Sequence, residues 1–231
     1  MNIYARMITP TKYSVTPDDL LQANNNLPVI DSKTVINEPT GNFFYDPWKC
    51  KPKFINTVWE NIICSLNDIE IGEARIIKLS PGQSYLSHAD IDDRYHLTIA
   101  SEMSYLINLS DEVMHKLMPD GKWYHMDAGY IHTACNFGES DRYQLVVRKL
   151  LRHCMLNSAV RVKIQLKDST FYQFRYVFDS IISPWLNRAN KRSIIDNFKV
   201  ETASTVSFDI EPNHIELVQE MLPSQFGLEI I

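Results

Sequence analysis

The sequence predicts a mainly β protein: a double-stranded β-helix (jelly roll) core with flanking helices, followed by a small C-terminal α+β module. Three observations carry that expectation. Eight short stretches between residues 74 and 150 (ARIIKL, YLSHAD, RYHLTIA, SYLINL, EVMHKLM, KWYHMD, IHTACNF and RYQLVVRKL) are divided by turn signals such as Pro81-Gly82, Asp92-Asp93, Asp120-Gly121 and Phe137-Gly138. Many short strands spaced by turns predict a sandwich or barrel. Ahead of them, Ile55, Val58, Trp59, Ile62 and Leu66 recur at helical spacing, so residues 54–66 are expected to lie as a helix against the β core. After Leu151 the pattern changes to single strands alternating with helices.

Taken in order, residues 1–9 suit an edge strand, and Thr16-Pro17-Asp18-Asp19 reads as an N-cap, a proline at the first helical position and an acidic first turn. Asn24-Asn25-Asn26 ends that helix. Residues 27–53 suit either a long loop or short extra strands, with Phe43, Phe44, Tyr45 and Trp48 forming an aromatic plug over the core. Beyond the β run, VRVKIQL alternates as a strand. Asp168, Ser169 or Thr170 is placed to cap a helix whose apolar face is Phe171, Phe174, Phe178, Ile181, Ile182 and Trp185. Ser183-Pro184 breaks and restarts it, and the second piece is expected to reach about Phe198. TASTVSFDI, HIELVQEML and GLEII then read as strand, helix and strand. The expected domains are residues 1–154 and 155–231.

Composition narrows the class. With 45% hydrophobic and 22% charged residues over 231 positions, the chain is neither disordered nor fibrous. It has no apolar run of membrane-spanning length and no signal-like N-terminus, so no membrane partner and a cytoplasmic location are expected. Cys50, Cys64, Cys135 and Cys154 make no paired motif and read as free thiols. Residues 142–200 carry 12 Lys and Arg against 3 Asp and Glu, between acidic flanks with 11 against 19 and 0 against 6. That basic segment either attracts an anionic partner or is neutralised by the tail folding back. No zinc-finger or RNP-like motif supports nucleic-acid binding.

Candidate chemistry centres on His88, Asp90 and His132. A spacing of two along a strand sends the His88 and Asp90 side chains to one face, and a jelly roll can bring the His132 strand beside them. Two imidazoles and a carboxylate match the facial triad of non-haem Fe(II) oxygenases, which leaves coordination positions open. His115, His125, His153 and His214 lack partners at ligand spacing and are expected to be structural.

His88-x-Asp90, His132 and Arg142 together resemble the 2-oxoglutarate and iron(II)-dependent oxygenases. Within these, Arg94-Tyr95-His96-Leu97 and His132-Thr133-Ala134-Cys135-Asn136 resemble the aspartyl/asparaginyl β-hydroxylase branch, which includes proline hydroxylases. The resemblance spans residues 72–151. It implies Fe(II) held by His88, Asp90 and His132, with 2-oxoglutarate and O2 as cosubstrates and Arg142 clamping the distal carboxylate of 2-oxoglutarate. Arg94 and His96 would assist the cosubstrate's inner carboxylate or the substrate, and His96 serves equally well as a hydrogen-bonded core group. Asn136 either contacts the cosubstrate or caps a turn before Gly138. Asp90 groups the chain with members that keep a complete triad. The implied activity is hydroxylation of a small amino-acid-like or peptidyl substrate, with succinate and CO2 as co-products. The alternative is a cupin-like module that binds a metal or small anion without turnover.

Overall fold

The computed structural model describes residues 7–167 and 171–231, without the side chains of Phe171 and Tyr172. The expected caps at Asp168, Ser169 and Thr170 lie outside the described residues. The chain divides into two compact units. One holds the residues up to Ser87 together with Asp92–Leu150; the other holds His88–Ile91 together with Leu151–Ile231. No helix among the described residues is long and apolar enough to cross a membrane.

The first unit runs β1 (Ile8–Ser14), α1 (Pro17–Asn25), β2 (Lys33–Val35), β3 (Asn37–Pro39), β4 (Trp48–Cys50), α2 (Val58–Cys64), β5 (Ile71–Leu79), β6 (Arg94–Ala100), β7 (Ser104–Asn108), β8 (Val113–His115), β9 (Lys122–Met126), β10 (His132–Asn136) and β11 (Arg142–Lys149). A six-stranded antiparallel sheet has the order β1-β9-β6-β11-β5-β2; a three-stranded sheet has the order β10-β7-β8; β3 and β4 form a separate ribbon. This is a jelly-roll core. Residues 1–6 of the expected edge strand lie outside the described residues; β1 carries Pro10 at the sheet edge with a register shift between Pro10 and Ser14.

Local chemistry sets the helices. Thr16 Oγ1 accepts the Asp19 N–H at 3.0 Å, Pro17 needs no donor at the first turn, and Asn26 Nδ2 donates to the Gln22 carbonyl at the far end. The second helix is shorter than its apolar spacing implies. Asn56 takes a φ of 58°, which separates a 3-10 turn at Pro52–Phe54 from α2 and leaves Ile55 exposed. The stripe of Val58, Trp59, Ile62 and Leu66 is buried as expected.

Period-two alternation gives the large sheet two unlike faces. Ala74, Ile76, Tyr95, Leu97, Ile99, Trp123, Leu145 and Val147 form one core with Val58, Trp59 and Ile62 of α2 and Ala23 of α1. The opposite face carries Arg94, His96 and Thr98 from β6, and Arg142, Gln144 and Arg148 from β11, all buried. Asp92 compensates two of these charges. It pairs with both Arg94 and Arg148, and Arg94 Nη1 also reaches the Asp92 carbonyl at 2.9 Å. The Arg148 guanidinium lies 4.0 Å from the Phe43 ring centroid and 4.6 Å from that of Phe44, so the aromatic plug is fastened to the sheet by cation–π contact.

The stretch YLSHAD does not form the expected strand. Residues 82–85 do lie beside β10: Gly82 N–H donates to the Asn136 carbonyl and Tyr85 N–H to the Ala134 carbonyl. The chain then leaves the sheet, because the Ala89 N–H and the Asp90 carbonyl take their hydrogen bonds from the second unit.

That unit consists of β12 (Val160–Leu166), α3 (Phe171–Val177), a π turn (Phe178–Ile182), α4 (Ser183–Lys191), β13 (Ile195–Thr202), β14 (Thr205–Ile210), α5 (Ile215–Met221) and β15 (Phe226–Ile230), with sheet order β13-β14-β12-β15. Its own core includes Val162, Ile164, Phe178, Ile182, Leu186, Phe208 and Val218, and Phe174 stacks on Phe178 and touches Phe226. Ile181 is exposed, and the helix stops at Lys191 short of Phe198, because Ser193 turns the chain with a φ of 58° and Phe198 belongs to β13. The tail does fold back on the basic segment. β15 pairs with β12, Lys163 meets Glu229 at 2.5 Å, and Arg161 meets Asp209 at 2.9 Å.

Removing the shared carboxylate should be costly. Asp92→Ala leaves two buried guanidinium groups uncompensated, and urea unfolding should show a loss of about 3–5 kcal/mol. A loss under about 1 kcal/mol would mean that water reaches both arginines.

Candidate metal centre

His132 opens β10, and on that strand it shares the buried face with Ala134 and Asn136. His132 Nδ1 lies 2.8 Å from the Tyr130 carbonyl, which assigns the proton to Nδ1 and the lone pair to Nε2. His88 and Asp90 are half-buried, with Nε2 and Oδ2 3.8 Å apart. One ligand atom from each of His88, Asp90 and His132 can be chosen so that all lie within 4.8 Å of one another. The His-Asp-His group expected from the sequence is therefore assembled, although its first two members sit on an extended segment and not on a strand. A borderline metal with a preference for nitrogen and oxygen donors, such as iron(II), is compatible with this set. The neighbouring carboxylates are used elsewhere: Asp92 by the two arginines and Asp93 by His125 Nε2 at 2.9 Å. His125 and His153, the latter 3.1 Å from Asp196, have the structural roles expected of them.

Arg142 is 4% exposed, and no carboxylate pairs with it among the described residues. Its neighbour Asp141 instead binds Lys78 at 2.9 Å. Arg142 Nη2 donates to Gln144 Oε1, and Arg142 Nε has no hydrogen-bond partner. Burial pushes the guanidinium down to about 10, with Tyr85 and Cys135 acting in the opposite direction, so it stays charged at neutral pH. The Tyr85 hydroxyl, close enough to feel Arg142 and Arg75, is also buried without a partner. An arginine charge, an unbonded N–H and an unbonded hydroxyl make a setting suited to an anion.

Gln144 was not singled out by sequence, yet it organises this wall. Its Oε1 serves both Arg142 and His96 Nδ1, the latter at 3.2 Å, while its Nε2 donates to Thr98 Oγ1 at 3.1 Å. The available signal was its spacing of two from Arg142 on the same strand. His96 is fully enclosed, and burial pushes it down to about 3; Arg142, His132 and Arg94 add to the lowering and Gln144 opposes it. It is a neutral imidazole whose Nε2 has no partner. Arg94 lies on the same strand face as His96, with its guanidinium bound to Asp92.

Asn136 takes the turn role. Its Nδ2 donates to the Leu79 and Ser140 carbonyls, and its Oδ1 accepts the Gly138 N–H at 3.0 Å. Both amide hydrogens are used in closing the 136–140 turn, the second of the two roles expected of Asn136.

The depressed His96 pKa has a stability consequence. Between pH 6.5 and about 3 the unfolded chain binds a proton that the folded chain refuses, so stability falls as pH is lowered through that window. His96→Gln removes this contribution. In urea titrations from pH 7 to pH 5, the wild type should lose about 1–2 kcal/mol more than the variant; parallel curves would place a proton on His96 in the folded state.

Residues 48–150 match the family described as aspartyl/asparaginyl beta-hydroxylase. A comparison with curated proteins gives no match. Among solved structures, a cupin domain from Bordetella pertussis Tohama I is similar at 17% identity, covering 36% of this chain and 84% of that one with a TM-score of 0.31. AviO1 from Streptomyces viridochromogenes Tue57 is similar at 8% identity, covering 62% of this chain and 89% of that one with a TM-score of 0.38. The matched segment contains every member of the His-Asp-His group together with Arg142, and residues 48–150 are similar to the aspartyl/asparaginyl β-hydroxylase family.

Proposed function

We propose that the protein is an Fe(II)- and 2-oxoglutarate-dependent dioxygenase that hydroxylates an amino-acid-like or peptidyl substrate. The observation that carries this reading is the uncompensated Arg142 guanidinium, buried in the jelly-roll unit that also supplies His132 of the His-Asp-His donor set. A metal-only binding module has no use for such a charge. A dicarboxylate cosubstrate supplies the missing counter-ion.

His88, Asp90 and His132 would hold the iron, two neutral nitrogens and one carboxylate leaving positions for other ligands. An iron held there would supply the redox chemistry by which 2-oxoglutarate and O2 yield succinate, CO2 and a hydroxylated substrate. The remaining work belongs to the chain. Arg142 pairs with the distal carboxylate, and Gln144 fixes the guanidinium by occupying one of its nitrogens. The Tyr85 hydroxyl offers the same carboxylate a second donor. His96, kept neutral, presents Nε2 without adding a second positive charge. Arg94 contributes its field while its guanidinium stays with Asp92. Asp90 occupies the position that a halogenating relative would need open for chloride.

Incubation with Fe(II), ascorbate, 2-oxoglutarate and a panel of amino acids and peptides should yield succinate and a product heavier by one oxygen atom. His132→Ala should abolish both while leaving the circular dichroism spectrum unchanged. Arg142→Met should weaken 2-oxoglutarate by about 100-fold, since a buried charge-assisted pair is lost, and should change metal affinity by less than about threefold. Equal loss of both affinities would assign Arg142 a structural role. Metal and anion binding without succinate from any substrate would favour the cupin-like binding module.

A further inference from the structure

We infer that Asn187, together with the π turn ahead of Pro184, positions the segment His88–Ile91 that carries two of the metal ligands. This rests on the metal-site reading above. The helical stretch from Phe171 to Lys191 widens to a π turn at Phe178–Ile182. In an α-helix the Ser183 N–H would bond the Asp179 carbonyl four residues back. Here it reaches the Phe178 carbonyl, five residues back. In that register the donor for Asp179 would be residue 184, and Pro184 has no N–H. The Asp179 carbonyl, left without a donor inside the helix, accepts the Ala89 N–H at 2.7 Å. Ala89 is fully buried between the two ligands.

The next clip comes from α4. Asn187 Nδ2 donates to the Asp90 carbonyl at 3.2 Å. Asn187 is 1% exposed, and its Oδ1 has no hydrogen-bond partner. An amide buried with an orphaned acceptor costs stability, and alanine is the better helix former and needs no partner. The helix itself is therefore poorly served by asparagine at this position. The peptide carrying Asp90 is served well: its carbonyl and the preceding Ala89 N–H are both fixed, so the segment His88–Asp90 is held by backbone bonds on either side of its middle residue. Asn187 acts on the metal only through a ligand's main chain and is a positioning residue.

The test uses the full-length protein, with Co(II) as an anaerobic spectroscopic probe and urea unfolding of the metal-free form. Asn187→Ala should raise the Co(II) dissociation constant by about tenfold or more, the scale seen when partners of metal ligands are removed. The urea midpoint should change little, since the better helix former and the loss of an orphaned acceptor offset the contacts removed. That split separates positioning from a general loss of structure. A folded Asn187→Ala variant whose Co(II) affinity stays within twofold of the wild type overturns the inference. Should that variant fail to fold, Pro184→Ala decides by the same criterion, since it restores an N–H to the helix and lets it reclaim the Asp179 carbonyl. Failure of the wild-type protein to bind Co(II) at all would overturn the metal reading itself, a different result from equal binding by wild type and variant.

Discussion

Three arginines and a histidine lie on the inward face of the six-stranded sheet, and keeping guanidinium groups out of water is the constraint to which the rest of the jelly-roll unit answers. A buried ion pair is tolerated when its partner and hydrogen bonds are in place and is strongly destabilising when one half is removed. Asp92 meets that condition for Arg94 and Arg148 together, and the Phe43 and Phe44 rings cover the second of these. Arg142 is treated differently. It has an amide for a neighbour and no acid among the described residues. Arg94 and Arg148 thus share one carboxylate, whereas Arg142 keeps its charge with none.

How much of this was legible in the sequence depends on which force sets each element. Strands buried on at least one face were readable almost to the residue: RYHLTIA is β6 and VRVKIQL is β12. There, alternation and burial agree. His132 and Arg142 were legible for the same reason, since each opens a strand, whereas His88 and Asp90 come near His132 without the strand that their spacing of two suggested. YLSHAD misled because its pattern satisfies a strand while its backbone partners come from the π turn and α4, more than 85 residues later. No local pattern reports a partner at that distance. Helix ends failed where single residues with positive φ, Asn56 and Ser193, broke apolar periods that otherwise continue. Gln144 was overlooked because an amide carries no charge and no motif; its importance appears only when Arg142, His96 and Thr98 are seen to share it.

The C-terminal unit shows how one imino acid changes the use of a neighbouring carbonyl. A helix normally consumes its own backbone groups, which is why helices seldom hold other segments through main-chain bonds. Widening by one residue and ending on Pro184 releases a single acceptor, and the chain uses it for a short segment from far earlier in the sequence. The residues matched to the hydroxylase family end at residue 150. The unit that fastens the His88–Ile91 segment lies after them, so a description confined to the matched stretch omits part of what holds His88 and Asp90.

The borders of the six-stranded sheet have a consequence for how the protein meets other chains. One border is β2, only three residues long; the other is β1, which carries Pro10 and a slipped register. Short or proline-bearing borders offer few aligned N–H and C=O groups, so neither recruits an extended chain efficiently. The sheet is thereby protected from edge-to-edge self-association even though its two faces are both buried. A peptide arriving at this domain would find little backbone to pair with along these borders, and discrimination among peptides would fall to side-chain contacts.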